Sequence, residues 1–80
     1  MPENTIEKQF GELVRKLRYK KRFTQEAFAH HLGIDRSYQG RIERGEVSVT
    51  LNMAEVIAKG LGLAIGELMT LLDKERKSIK

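Results

Sequence analysis

The chain is predicted to be all-α, with five helices at residues 5–21, 24–32, 35–43, 50–61 and 64–76, and three observations carry that prediction. Apolar residues recur at the helical period in the first, fourth and fifth of these segments. Thr24, Asp35 and Thr50 stand where side-chain oxygens cap helix N-termini, and Gly33 and Gly62 stand where helices stop. The third observation is the stretch Thr24 to Gly45, TQEAFAHHLGIDRSYQGRIERG, which writes two short amphipathic helices around a tight turn.

The first helix follows from Ile6, Phe10, Leu13, Val14 and Leu17, which form one inward stripe, with Lys16, Lys20 and Lys21 on or near the opposite face. Arg22 and Phe23 break the pattern. In the second helix Thr24 caps, Phe28 and Leu32 share a face, and Gly33 supplies the left-handed terminating residue. Ile34 anchors the turn, Asp35 offers a second side-chain cap, and Arg36 to Glu43 follow as the third helix. Glu46 to Val49 form a connector. Behind the cap at Thr50, Leu51, Ala54, Ile57, Ala58 and Leu61 give the fourth helix a core-facing stripe. Ile65, Leu68, Met69, Leu71 and Leu72 give the fifth helix more apolar surface than one stripe needs, so a second surface is expected to cover it. The charged tail from Asp73 to Lys80 is expected to fray.

With 80 residues, 40% hydrophobic and 32% charged, the chain describes one domain over 1–80. A core of this size rarely yields more than about 3–5 kcal/mol of net stability, so a partner subunit or very regular helix packing is expected. The absence of cysteine excludes disulfides and thiolate metal sites. MPENTIEKQF has neither the basic start nor the apolar run of a secretory signal, and nothing approaches a membrane-spanning length, so a cytoplasmic location without membrane contact is expected. His30 and His31 are adjacent on one helix and diverge, which argues against a shared metal; both read as surface residues. No nucleophile motif, phosphate loop, zinc spacing or paired-carboxylate arrangement is present, so no enzyme, cofactor, metal or small-molecule ligand is expected.

The formal charge is +4, and its distribution matters more than its size. Residues 15–44 hold nine Lys/Arg against three acids, a local +6, while the remainder carries −2. That excess lies in and just before the third helix, where phosphate neutralisation would release counterions. A helix presented this way fits the major groove of double-stranded DNA.

These residues resemble the phage lambda-type repressor and Cro family of helix-turn-helix proteins, also called the xenobiotic response element family. The likeness covers about Phe10 to Leu72 and rests on Thr24-Gln25-Glu26, Ala29, Gly33, IERG at Ile42 to Gly45, and TLNMAEVIAKGLG at Thr50 to Gly62. DRSY followed by IERG is similar, more narrowly, to the controller proteins of bacterial restriction-modification systems. The resemblance implies a five-helix lambda-repressor-like domain acting as a transcriptional regulator on DNA. It implies base contacts from Arg36, Ser37, Tyr38, Gly40 and Arg41, where each arginine can bond guanine O6 and N7 and where Ser37 and Tyr38 meet either a thymine methyl or a phosphate. It implies phosphate contacts from Gln25, Arg22, Arg44 and Ser48. Arg18 and Glu43 match an internal salt bridge withdrawn from DNA.

Two positions depart from the family. Gln39 stands where an apolar residue is usual, and is expected to pack at the core edge with its amide satisfied, the alternative being adenine readout. Arg22 stands where glycine is frequent, so either it accepts a left-handed conformation at a cost of about 1–2 kcal/mol or the helix ends differently. A homodimer through Ile65, Leu68, Met69 and Leu72 of the fifth helix, with the end of the fourth, would place two third helices about 34–36 Å apart, or a multiple of that, on a pseudo-palindromic operator. The rival reading from the same fold is an adaptor or antitoxin-type module that binds protein instead of DNA.

Overall fold

The computed structural model describes residues 5–77. They form α1 (Ile6–Lys20), α2 (Gln25–Leu32), α3 (Arg36–Glu43), α4 (Leu51–Gly60) and α5 (Ile65–Lys77), with no strand among the described residues. The hydroxyls of Thr5, Thr24 and Thr50 accept the backbone N–H of Lys8, Ala27 and Met53 at 3.2, 3.0 and 3.0 Å, each satisfying a donor that the helix start leaves free. α3 begins differently: Asp35 takes the extended cap conformation but makes no side-chain cap bond, so the expected cap is only a backbone one.

One device ends the first four helices. A left-handed residue follows the last turn, and the next N–H bonds back to the carbonyl five positions earlier: Phe23 to Arg18, Ile34 to Ala29, Glu46 to Arg41 and Leu63 to Ala58, at 3.2, 3.0, 2.9 and 2.8 Å. Glycine fills the left-handed position at 33, 45 and 62, while Arg22 fills it after α1 with φ 63°. Of the two endings the sequence left open for α1, the left-handed one is formed. Arg18 supports it by donating from Nη1 to the Phe23 carbonyl at 2.8 Å.

The core is built from Val14, Phe28, Ile42, Ile57, Leu61 and Leu68, all fully buried, with Phe10, Leu13 and Leu72 beside them. α1 packs on α3 and α5, α2 on α3 and α4, and α4 on α5. The α1–α3 approach depends on Gly11. A Cβ there would overlap the carbonyl oxygen of Ile42 and lie 2.6 Å from that of Glu43, so the first helix rests directly on the last turn of α3.

Three expectations need correcting. Leu51 is 80% exposed and Ile6 49%, because both stand at helix starts, beyond the reach of the elements that cover the rest of their stripes. Leu68 and Leu72, expected at a dimer surface, are 0% and 5% exposed inside the protomer, since α5 packs on both α1 and α4 and both inward turns are consumed there. The tail does not fray at Asp73: helix continues to Lys77, held by a 2.7 Å pair between Lys16 and Glu75 and by Arg76 donating to Gln9. Residues 78–80 lie outside the described residues.

Candidate nucleic-acid interface

The base of the interface is a buried polar network. Glu43, on the last turn of α3, is almost wholly enclosed, as is Arg18 on α1. Glu43 Oε2 accepts from Arg18 Nε and Gln39 Nε2, both at 2.7 Å, and Oε1 accepts from Arg18 Nη2 at 3.0 Å and Gln25 Nε2 at 3.1 Å. Burial pushes the Glu43 carboxyl up, but the bonds from Arg18, Gln39 and Gln25 outweigh it and hold the group below its ordinary value. Arg18 is raised further by the same pair. The expected Arg18–Glu43 salt bridge is therefore present, and it ties α1, α2 and α3 into one unit.

Gln39 is fully buried, consistent with a packing role, but its amide is only half satisfied. Nε2 reaches Glu43, whereas Oε1 has no hydrogen-bond partner. Buried in this way, it is not placed to read adenine.

On the outer side of α3, Arg36, Ser37 and Arg41 are exposed, and with Gly40, Arg44 and Gln25 they line one shallow concavity. This brings together most of the residues expected to touch DNA, on one helix face flanked by the start of α2. Two expected base contacts are less exposed than the rest. Tyr38 is half-buried against the core, because the helical turn that exposes Ser37 and Arg41 directs position 38 inward. Gly40 is buried beneath its neighbours; a Cβ there would stand 3.0 Å from Arg44 Nη1 and 3.4 Å from Gln25 Oε1, so its contribution is room for those side chains. Arg22 is exposed at the end of α1 and does not line this concavity.

Two of the phosphate candidates, Arg44 and Ser48, have carboxylate partners that the sequence did not single out. Arg44 donates to Glu46 through Nε at 2.7 Å and Nη2 at 3.3 Å, and Arg41 Nε lies 4.0 Å from the same carboxylate. Ser48 Oγ donates to Glu7 Oε2 at 2.7 Å, across the gap between α1 and the connector after α3. Only the second residue on from Arg44 was a local clue; Glu7 is distant in sequence and no short-range pattern exposes it. His31 also differs from a plain surface residue, since its ring stacks on Phe23 with centroids 5.0 Å apart.

Away from this face, Ile6, Phe10, Val49, Leu51, Met69 and Leu72 line an apolar groove. Of the four expected dimer residues, Met69 and Ile65 remain half-exposed on α5. Among the described residues no group of three His, Cys, Asp or Glu is placed to hold a metal, and no helix is long and apolar enough to cross a membrane.

An all-α bundle with this exposed third helix defines a helix-turn-helix protein, and a helix-turn-helix domain family matches residues 9–72. The chain belongs to the helix-turn-helix control proteins, DNA-binding regulators of transcription. It is 40% identical over 73 residues to control protein C.MunI of a Mycoplasma species, covering 90% of this chain and 99% of that one. Control protein C.BamHI of Bacillus amyloliquefaciens is 37% identical over 67 residues, 82% of this chain and 83% of the relative. Among solved structures, the restriction-modification controller protein C.Esp1396I, a tetramer in complex with its natural 35 base-pair operator, superposes with a TM-score of 0.81 at 31% identity, covering 89% and 93% of the two chains. The controller protein C.AhdI of Aeromonas hydrophila gives 0.72 at 39% identity, covering 76% and 92%.

Proposed function

We propose that this protein acts as a homodimer on a pseudo-palindromic operator, inserting α3 of each subunit into the major groove of one half-site. The observation that carries the proposal is the single outward face of Arg36, Ser37, Arg41 and Arg44 beside Gln25, mounted on a buried salt bridge that fixes its orientation. Arg36 and Arg41 are both exposed, Arg41 with a loose 4.0 Å contact to Glu46, and each can read guanine by two parallel bonds. Gln25 and Arg44 flank them with donors suited to phosphate oxygens, and Ser48, on the connector beyond α3, adds a hydroxyl of the same use. The relatives' roles point to an operator beside the genes of a restriction-modification system. No catalytic role enters this reading.

The dimer surface that fits best is the half-exposed side of α5, Ile65 and Met69, continuous with exposed Leu51 and Ile6. Selection of bound duplexes from a random pool tests the proposal, because it reports half-site, symmetry and spacing together. Arg36→Ala or Arg41→Ala should weaken binding to the selected site by about ten- to a hundredfold while barely changing binding to random duplex. A pool that yields no preferred duplex at moderate salt would refute base readout, and equal losses on both DNAs would reassign these arginines to phosphates.

A further inference from the structure

Two of the donors expected to grip the DNA backbone, Arg44 and Ser48, are already occupied by exposed or partly exposed carboxylates of this chain. Glu46 holds Arg44 through two hydrogen bonds and sits 4.0 Å from Arg41, while Glu7 accepts the Ser48 hydroxyl at 2.7 Å. A carboxylate and a phosphodiester present the same chemistry to a guanidinium, a pair of anionic oxygens matched to its fork, so the two compete for one site. Resting on the DNA-binding reading above, we infer that Glu46 is an affinity-setting residue, an intramolecular stand-in for phosphate that must be displaced from Arg44 before the backbone is engaged, with Glu7 in the same role at Ser48. Glu46 is exposed beside Arg44 and Arg41 of the α3 surface, whereas the Glu7–Ser48 pair stands on the border of the apolar groove.

Three physical consequences follow from that placement. Association exchanges one anion for another at Arg44, so the free energy gained per contact is smaller than for an unpaired arginine. The displaced Glu46 then remains next to a polyanion, adding repulsion. It also recruits a solution cation, which offsets part of the counterion release that Arg44 would otherwise contribute. The hydrogen bonds from Arg44, with the charges of Arg41 and Lys8 adding to them, keep the Glu46 carboxyl below its ordinary range, so it competes as an anion throughout neutral pH. The pair is surface-exposed and weak, and easily opened by a partner with many phosphates. It therefore tempers binding to any duplex and leaves the operator's extra base contacts to decide where the protein resides.

The test uses the full chain and two duplexes, the selected operator and a random sequence, titrated from low to moderate salt by fluorescence anisotropy. Glu46→Gln keeps the shape and removes the charge; it should tighten binding to both duplexes by about two- to tenfold at low salt, steepen the salt dependence by up to about one unit, and lose the gain at high salt. Glu55→Gln, an equal charge change at an exposed position on α4 outside this surface, should give the smaller effect of net charge alone. In an Arg44→Gln background Glu46→Gln should confer little gain, because the competed site is gone. Glu7→Gln should tighten binding by less, since a hydroxyl is a single donor. The inference is overturned if Glu46→Gln matches Glu55→Gln, or if its gain survives in the Arg44→Gln background. If the unaltered protein binds neither duplex, the DNA-binding reading falls with it.

Discussion

Replacing Glu43 by glutamine exchanges one carboxylate oxygen for an NH2 group and should cost the domain a large share of its stability. Glu43 Oε1 accepts from Arg18 and Gln25, and Oε2 from Arg18 and Gln39. A glutamine keeps one acceptor, but its NH2 group then faces two donors, and the Arg18 guanidinium stays buried without a counter-charge. Breaking one half of such a pair costs about 3–5 kcal/mol. That is comparable to the whole of the about 3–5 kcal/mol a core of this size supplies, and each kcal/mol moves the midpoint by about 4–8 °C, so a fall of at least about 12 °C is expected. Thermal unfolding followed by circular dichroism at pH 7 measures it. The acid limb gives a second reading. Because the folded Glu43 value lies below the ordinary 4.5, its contribution is fully present above that pH and disappears as pH falls through the lowered folded value. The variant should lose that part of the acid dependence. A midpoint change under about 5 °C, with the acid limb intact, would show that the network does not hold α3 in place.

Further predictions concern the core and the subunit contact. Gln39→Leu removes an unpartnered buried acceptor and one of four bonds to Glu43, two terms of opposite sign, so stability should stay within about 1 kcal/mol of the parent; a loss above 2 kcal/mol in the same melt would make its bond to Glu43 dominant. Gly11→Ala should destabilise by about 1–3 kcal/mol despite alanine's higher helix propensity, because the methyl meets the carbonyls ending α3; an unchanged or raised midpoint would mean that the two helices separate freely. Met69→Glu should give monomers in sedimentation with helix content preserved, whereas an unchanged dimer would move the interface off α5. Leu68→Glu, by contrast, is expected to unfold the chain, since that side chain is wholly inside it.

The helices were readable from the sequence because their ends are written locally. Thr24, Thr50, Gly33 and Gly62 each act on the backbone within a few residues, and all four do what the pattern implies. The Arg18–Glu43 pair was accessible only through the family resemblance, since the two residues lie on different helices. Periodicity shows which face of a helix points inward but not how far along the helix a neighbour reaches, which is why Leu51 proved exposed and why Leu68 and Leu72 went to the core instead of to a partner. The partial burial of Tyr38 and the burial of Gly40 were hidden for a related reason: on an eight-residue helix, one position separates the outer face from the interior. The partners of Arg44 and Ser48 were hidden because neither short-range acids nor distant ones announce which donor they will meet.

On α3, outward and inward duties fall on different residues. Arg36, Ser37 and Arg41 touch no part of the core, while Tyr38, Gln39, Ile42 and Glu43 secure the scaffold. Under the proposed base-reading role, target preference and foldability would rest on separate side chains, so the three solvent-facing positions are the ones to randomise as a library when seeking a new promoter preference.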